Sequence, residues 1–216
     1  MSVYLLSSAA DTTISRAIRL GTGNRQGHLS VVFLQDDELR CYSFARRRWS
    51  TPLDGAFVEE GRDRYTYPGG RVTSMVLYEI PLERQGMVRR RLEHLRPHLE
   101  TCGYNLPDAL VNALGWRFRS RVAYTCVGFC ALMLGLDRER GVVQLAQVLQ
   151  AAEAQPVYQG DLEGLERFTG ARFWEGDSQF YAQRLPKAQA VATAVGSQLR
   201  ALGSIIKDKV ARRSVR

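Results

Sequence analysis

The stretch GHLSVVFLQDDELRCYSFA, residues 27–45, decides the fold class of this chain. Its first half, residues 27–35, is mostly apolar and predicts a largely buried β-strand. The acidic residues 36–38 then predict a turn, and residues 39–45 predict a second strand that pairs with the first as a β-hairpin. Because a hairpin joins antiparallel neighbours, we expect an antiparallel sheet at the centre of the protein.

Further strands and helices are expected on both sides of this hairpin. Strand patterns lie at residues 3–6, 56–59, 71–82 and 155–162. Helical patterns lie at residues 11–23, 83–99, 104–116, 125–134 and 140–150. Together they predict an α+β domain with an antiparallel sheet of about five or six strands packed against helices.

The composition is that of an ordinary globular protein without a membrane span. The chain has 216 residues, of which 45% are hydrophobic and 24% are charged. No apolar run approaches the ~18 residues that a membrane-spanning helix needs, and the N-terminal residues lack the basic region of a secretory signal. Its four cysteines show no CxxC spacing. We therefore expect a cytoplasmic protein whose thiols are free.

The net charge of +8 raises the question of an anionic partner. The arginines are scattered in short groups and no nucleic-acid-binding motif accompanies them, so a solvated basic surface is favoured and nucleic acid is an unlikely partner. The segment 185–216 is different, because it is an Ala-rich amphipathic pattern with seven Lys or Arg residues against a single acid, Asp208. Two alternatives stay open for it, namely binding to an anionic membrane surface and packing on its own domain.

A change of character after Gly170 suggests two parts of the chain. Residues 1–170 are expected to form the compact domain. Residues 171–216 are expected to form a basic, helical C-terminal extension outside the core.

The stretch AYTCVGFC, residues 123–130, holds two of the cysteines. Thr125 predicts a helix N-cap, which places Cys126 in the first helical turn. The positive end of the helix dipole favours a thiolate there, so Cys126 is a candidate nucleophile. The other three cysteines are expected to be small buried apolar residues: Cys41, Cys102 and Cys130.

Metal binding is a weaker interpretation of the same residues. Cys126 and Cys130 are four positions apart, and so are His94 and His98. Zinc sites need three or four ligands at recurring spacings, and neither pair belongs to such a set. We therefore expect no metal and no cofactor, and we take the histidine pair to be part of a helix surface.

His28 is the histidine that best suits a role as general base. It stands at the start of the first hairpin strand and follows Gly27, which leaves the backbone open to close approach. A lone histidine is more often structural than catalytic. Its combination with a cysteine at a helix start elsewhere in the chain favours nucleophilic catalysis.

An ordered set of short motifs supports this pairing. The chain carries in succession ISRAIRLGTG, GHLS, CYSFARR, GAFVEEG, YN, YTCVGF and VYQGDL. The set covers roughly residues 3–162 and resembles the circularly permuted branch of the NlpC-type papain-like superfamily, which includes lecithin:retinol acyltransferase-like proteins. In this branch the histidine precedes the cysteine, as it does here.

The resemblance implies a permuted papain-like fold in which an antiparallel sheet packs against the helix that carries the nucleophile. It makes Cys126 the nucleophile and His28 the general base. The polar group that orients the histidine is expected on the following strand, where Ser43 is the assigned residue. Glu60 matches an acid that recurs in the family, without an assigned role. Val127 departs from the family's serine, although its backbone N–H can still serve an oxyanion.

The function implied is that of a cysteine hydrolase, of the peptidase or amidase kind, which forms an acyl-enzyme on Cys126. Its substrate would be a peptide, another amide or an acyl ester. Two alternatives stay open: a lipid-directed thiol acyltransferase or hydrolase at a membrane surface, and a catalytically silent papain-like binding module.

Overall fold

The structure is a computed structural model of the chain. It describes residues 2–10, 27–48, 51, 54–66, 72–105, 108–109, 120, 122–136, 144–176 and 186–213. The helix predicted at residues 11–23 and most of the helix predicted at 104–116 lie outside the described residues.

The described part of the chain contains one mixed, mostly antiparallel sheet of nine strands. The strands are β1 (Ser2–Ala10), β2 (His28–Gln35), β3 (Glu38–Arg46), β4 (Gly55–Glu60), β5 (Val72–Glu79), β6 (Gly103–Tyr104), β7 (Ala123–Tyr124), β8 (Gln155–Gly160) and β9 (Arg172–Phe173). Their order is β7-β6-β4-β3-β2-β1-β5-β8, and β9 pairs with β3 beside this path. Two pairs are parallel, β6 with β7 and β3 with β9.

The predicted hairpin is confirmed, with β2 and β3 joined by a two-residue turn. Gln35 pairs with Glu38 across it. Asp36 and Asp37 have φ values of 50° and 59°, the left-handed conformations of the turns that suit the twist of a tight hairpin. Aspartate tolerates this region better than most residues, which explains why the acidic run forms the turn.

Helices cover both faces of the sheet, so the α+β class is confirmed. They are α1 (Asp63–Thr66), α2 (Leu82–Leu99), α3 (Cys126–Met133), α4 (Leu145–Ala151), α5 (Leu162–Thr169) and α6 (Lys187–Arg213). In the described ranges, none of these helices is both long and apolar enough to cross a membrane.

The alternation of side chains along β2 divides the core between the two faces. Leu29, Val31 and Phe33 pack with side chains of α2, α3 and α4 in the first core. Val32 packs on the opposite face with side chains that include Tyr65 of α1 and others from α5 and β9. Because β2 is buried on both faces of the sheet, its sequence is a nearly continuous apolar run.

Helix α3 begins and ends as the sequence predicts. The Thr125 side chain accepts a hydrogen bond from the backbone N–H of Gly128, which caps the helix start. Gly135 follows the helix with a φ of 76°, a conformation that glycine adopts without strain. The three cysteines expected to be packing residues, Cys41, Cys102 and Cys130, are all buried.

The sheet continues past residue 170, where we expected the compact domain to end. Arg172 and Phe173 pair with β3, and Phe173 is 1% exposed in the second core. Helix α6 also contacts this domain, along strands β6 and β7.

The hairpin turn offers a test of this geometry. Asp37→Gly is expected to stabilise the protein by about 0.5–1 kcal/mol, because glycine adopts positive φ without steric cost. Asp37→Ala is expected to destabilise it, since a Cβ without the aspartate's local hydrogen bonding disfavours that φ. Urea unfolding midpoints of the two variants and the parent measure both effects. Equal midpoints would contradict the turn assignment.

Candidate active site

The candidate site forms where three element ends meet. His28 is the first residue of β2, Glu60 is the last residue of β4, and Cys126 is the first residue of α3. Strands β2 and β4 are separated only by β3, on which Cys41 pairs with both Glu60 and Val32. This register places Glu60 level with Val32, and the Glu60 side chain reaches Ser30 and His28, which share a face of β2 with Val32.

His28 and Glu60 form the central contact of the site. The His28 Nε2 atom lies 2.8 Å from the Glu60 Oε1 atom. The Glu60 side chain is only 2% exposed, whereas the His28 side chain is 25% exposed. The carboxylate is therefore sealed inside the protein while one part of the imidazole ring remains accessible.

Two hydroxyl groups complete the shell around the Glu60 carboxylate. The Ser30 Oγ atom donates to Oε1 at 2.8 Å and lies 3.2 Å from His28 Nε2. The Tyr65 hydroxyl donates to Oε2 at 2.6 Å. A buried carboxylate with hydrogen-bond donors at both oxygens stays ionised more readily than an isolated one.

The charge of His28 decides the ionisation of Glu60. Burial alone would raise the pKa of Glu60, but the positive charge and the hydrogen bond of His28 hold that pKa well below its usual range. Burial likewise opposes a charge on His28. The negative charge of Glu60, the hydrogen bonds to Cys126 and Glu60 and the charge of Cys126 together outweigh burial, and they raise the pKa of His28 to about 10. The imidazolium–carboxylate pair is therefore the stable form at neutral pH.

The Cys126 thiol contacts the other side of this pair. Burial would raise its pKa, yet a hydrogen bond with His28 and the positive charge of His28 lower the pKa of Cys126, helped by the backbone N–H groups of Leu29 and Val127. Because Glu60 engages Nε2, the ring nitrogen left to exchange a proton with the thiol is Nδ1. The arrangement favours a thiolate–imidazolium pair, which is the reactive form of a cysteine nucleophile.

Tyr104 of β6 lies within electrostatic range of Cys126. Burial and the negative charge of Cys126 raise the pKa of Tyr104 well above its usual range. Its ring lies against Gly55, where an added Cβ would come within 2.6 Å of the Tyr104 Cβ atom. Glycine at position 55 thus permits the close approach of the Tyr104 side chain, and the raised pKa keeps the tyrosine hydroxyl neutral.

Ser43 is not the group that contacts His28, although the sequence assigned it that role. It is fully buried on β3, and its Oγ atom has no hydrogen-bond partner within the described ranges. It lies close enough to Glu60 to help lower the pKa of that carboxyl. The contact expected of Ser43 is made by Glu60, one strand further along the sheet.

The other buried cysteines near the site remain thiols. Burial and the charge of Glu60 raise the pKa of Cys41 well above its ordinary value. Burial and the charge of Cys126 do the same for Cys130. Only Cys126 therefore combines a lowered pKa with a position at a helix start.

No other ligand-holding arrangement is apparent at the site. Among the residues that the structure describes, no three His, Cys, Asp or Glu side chains are grouped so that they could hold a metal ion.

A scan against protein-family models and a search of curated proteins find no match for this chain.

The ionisation of the site can be tested by alkylation of Cys126. Glu60→Gln removes the charge that raises the pKa of His28, so the pKa of His28 falls and that of Cys126 rises. The thiolate fraction at neutral pH then decreases, and we expect iodoacetamide to label Cys126 about ten-fold more slowly at pH 7. Mass spectrometry of the labelled peptide separates Cys126 from the three other cysteines.

The matched control is Glu59→Gln, the neighbouring acid on the same strand. Glu59 contacts Arg40 and Tyr42 and lies outside the His28 network. Its neutralisation should leave the alkylation rate of Cys126 unchanged. If both variants slow labelling equally, the effect comes from general charge and the specific role of Glu60 is wrong.

Proposed function

We propose that this protein is a cysteine hydrolase that cleaves an amide, peptide or ester bond through an acyl-enzyme on Cys126. The observation that carries the proposal is the chain of contacts from Cys126 to His28 to Glu60, with the cysteine at a helix start. In this triad Cys126 is the nucleophile, His28 is the general acid and base, and Glu60 orients the imidazole ring.

The reaction would begin with attack of the Cys126 thiolate on the carbonyl carbon of the substrate. The carbonyl π electrons move to oxygen and form a tetrahedral oxyanion, which the backbone N–H of Val127 would stabilise. The imidazolium of His28 then donates its Nδ1 proton to the leaving amine or alkoxide. The carbon–heteroatom bond breaks, and a thioester remains on Cys126.

Water would complete the cycle. The now neutral His28 accepts a proton from a water molecule, and the resulting hydroxide attacks the thioester carbonyl. The carbon–sulfur bond breaks, the acid product leaves, and the thiolate–imidazolium pair is restored. Glu60 stays ionised throughout and holds the ring so that Nδ1 faces the sulfur, which makes it a positioning residue.

The buried charge of Glu60 favours an enzyme over a silent binding module. A buried ion pair is commonly no more stable than well-packed apolar side chains of similar volume. Structural packing alone therefore gives little reason for a carboxylate, two hydroxyls and an imidazole at this position. Strongly perturbed groups around a cysteine at a helix start are instead typical of catalytic sites.

The finer fold assignment is part of the same proposal. A histidine at a strand start that precedes a cysteine at the start of a helix packed on an antiparallel sheet is the arrangement expected of a circularly permuted papain-like domain. The order of β2 and α3 along the chain supports it.

Loss of the nucleophile or its base should abolish hydrolysis. A panel of p-nitrophenyl esters and peptide anilides serves as substrates, since the natural bond is not needed to detect acyl transfer. Cys126→Ser and His28→Ala are each expected to lower kcat/KM by about 10³-fold or more. Intact-mass spectrometry should detect an acyl adduct on the parent protein and none on Cys126→Ser. Cys102→Ser is the control, and it should retain full activity because Cys102 lies outside the site.

The dependence of kcat/KM on pH should follow the ionisation of Cys126 and of His28. Activity is expected to rise at a pH below the ordinary cysteine pKa of 9.0, because the pKa of Cys126 is lowered. It should fall again near pH 10, where His28 loses the proton that the leaving group needs. Glu60→Gln should move the alkaline limb to lower pH. An alkaline limb that stays in place would contradict the role given to Glu60.

A further inference from the structure

Helix α6 packs on the domain mainly through alanines, with one larger side chain, Ile205. Its most buried residues are Ala190, Ala194, Ala201 and Ile205. Ala201 sits directly over strand β6, where a Cβ added at Gly103 would lie 3.1 Å from the Ala201 Cβ atom. The helix therefore approaches the domain closely with a face that offers little apolar area.

The large apolar side chains of α6 point away from the domain. They are Val191 (63% exposed), Val195 (50%), Leu199 (63%), Leu202 (39%), Ile206 (60%) and Val210 (61%), and we call them the apolar stripe. Successive members are three or four positions apart, so they share one side of the helix. A helix that served only the core of its own domain would bury such residues and expose the alanines.

The charge of α6 is strongly positive. Residues 187–213 contain six Lys or Arg residues and one acidic residue. Arg200 and Lys207 are exposed and directly follow Leu199 and Ile206 of the apolar stripe. Exposed cations thus border the stripe on the side turned away from the sheet.

We propose that α6 docks this protein on the surface of an anionic lipid bilayer, with the helix axis in the plane of the membrane. The apolar stripe would enter the boundary between headgroups and acyl chains, and the flanking cations would contact lipid phosphates and carboxylates. A second copy of this chain fits the same surface less well, because pairing two α6 helices would bring like charges together. The helix is amphipathic and does not qualify as a membrane span.

The docking would also orient the Cys126 site. Helix α6 contacts β7, and β7 leads through the cap residue Thr125 into Cys126. A bilayer bound to α6 would therefore hold the end of the sheet that carries the nucleophile close to the membrane. The docking itself does not rest on the reaction proposed for Cys126.

Vesicle binding of the full chain tests the proposal. Co-sedimentation is measured with phosphatidylcholine vesicles that contain about 30% phosphatidylserine and with phosphatidylcholine alone. The parent protein should bind the anionic vesicles at least about ten-fold more strongly. The double variant Leu199→Glu/Ile206→Glu should lose at least about ten-fold in partition coefficient, because two apolar anchors are removed.

The matched control carries the same charge change on another side of α6. Gln189→Glu/Thr193→Glu adds two negative charges outside the apolar stripe and should bind anionic vesicles far better than the stripe variant. The uncharged double variant Leu199→Ser/Ile206→Ser should also lose binding by about ten-fold. This loss measures the apolar contribution to membrane binding without a change in charge. Because Leu199, Ile206 and Gln189 are exposed and Thr193 is only half-buried, all variants should keep the parent's Tm and the parent's rate of Cys126 alkylation.

Three outcomes would overturn the proposal. The first is failure of the folded parent, with normally reactive Cys126, to bind either vesicle. Stripe and control variants could bind equally, which would leave only unspecific charge attraction. Sedimentation velocity could instead detect a dimer that the stripe variant disrupts, which would make a second copy the occupant. If Cys126 is alkylated at the parent's rate in any of these cases, the failure concerns membrane docking and not the reactivity of the proposed active site.

Discussion

The interaction on which the site depends is the buried ion pair between Glu60 and His28. A carboxylate that is only 2% exposed must be matched by a positive charge and by hydrogen bonds at both oxygens, or it would not remain ionised. Ser30 and Tyr65 supply the hydrogen bonds, and His28 supplies the charge. Removing one partner from such a pair typically costs about 3–5 kcal/mol, because the other charge is left uncompensated. The requirement fixes the ring orientation and so determines which nitrogen faces Cys126.

The two-sided sheet makes this arrangement feasible. Tyr65 belongs to the core on one face of the sheet, whereas α3 packs on the opposite face. His28 is the first residue of β2, so its ring is not confined to one face of the sheet. The ring can therefore contact groups on both faces. Glu60 and its hydrogen-bond donors can therefore be buried on one face of the sheet, while the Cys126 thiol contacts His28 from the other face. A histidine in the middle of the same strand would face one layer only.

Local sequence signals predicted the parts of the site that depend on neighbours in the chain. The hairpin, the Thr125 cap and the position of Cys126 each follow from a few consecutive residues. The sequence identifies Glu60 only as a recurring acid and does not predict its role, because its contact with His28 depends on the registers of two strand pairs at once. The sequence favours Ser43 because β3 directly neighbours β2, yet the longer side chain of Glu60 reaches His28 from β4. Very short strands such as β9 give too few residues for a periodic pattern.

The orientation of α6 could not be predicted from its amphipathic pattern, because periodicity alone does not say which face meets the domain. Contact with the sheet selects small side chains, since Gly103 and Ala201 leave no room between the helix and strand β6. Once the alanines occupy that contact, the larger apolar residues must face outward. Exposed apolar patches reduce solubility and are uncommon on monomeric proteins unless something covers them. The same close contact that holds α6 against strands β6 and β7 thus creates a surface suited to a partner, and its positive charge favours an anionic one.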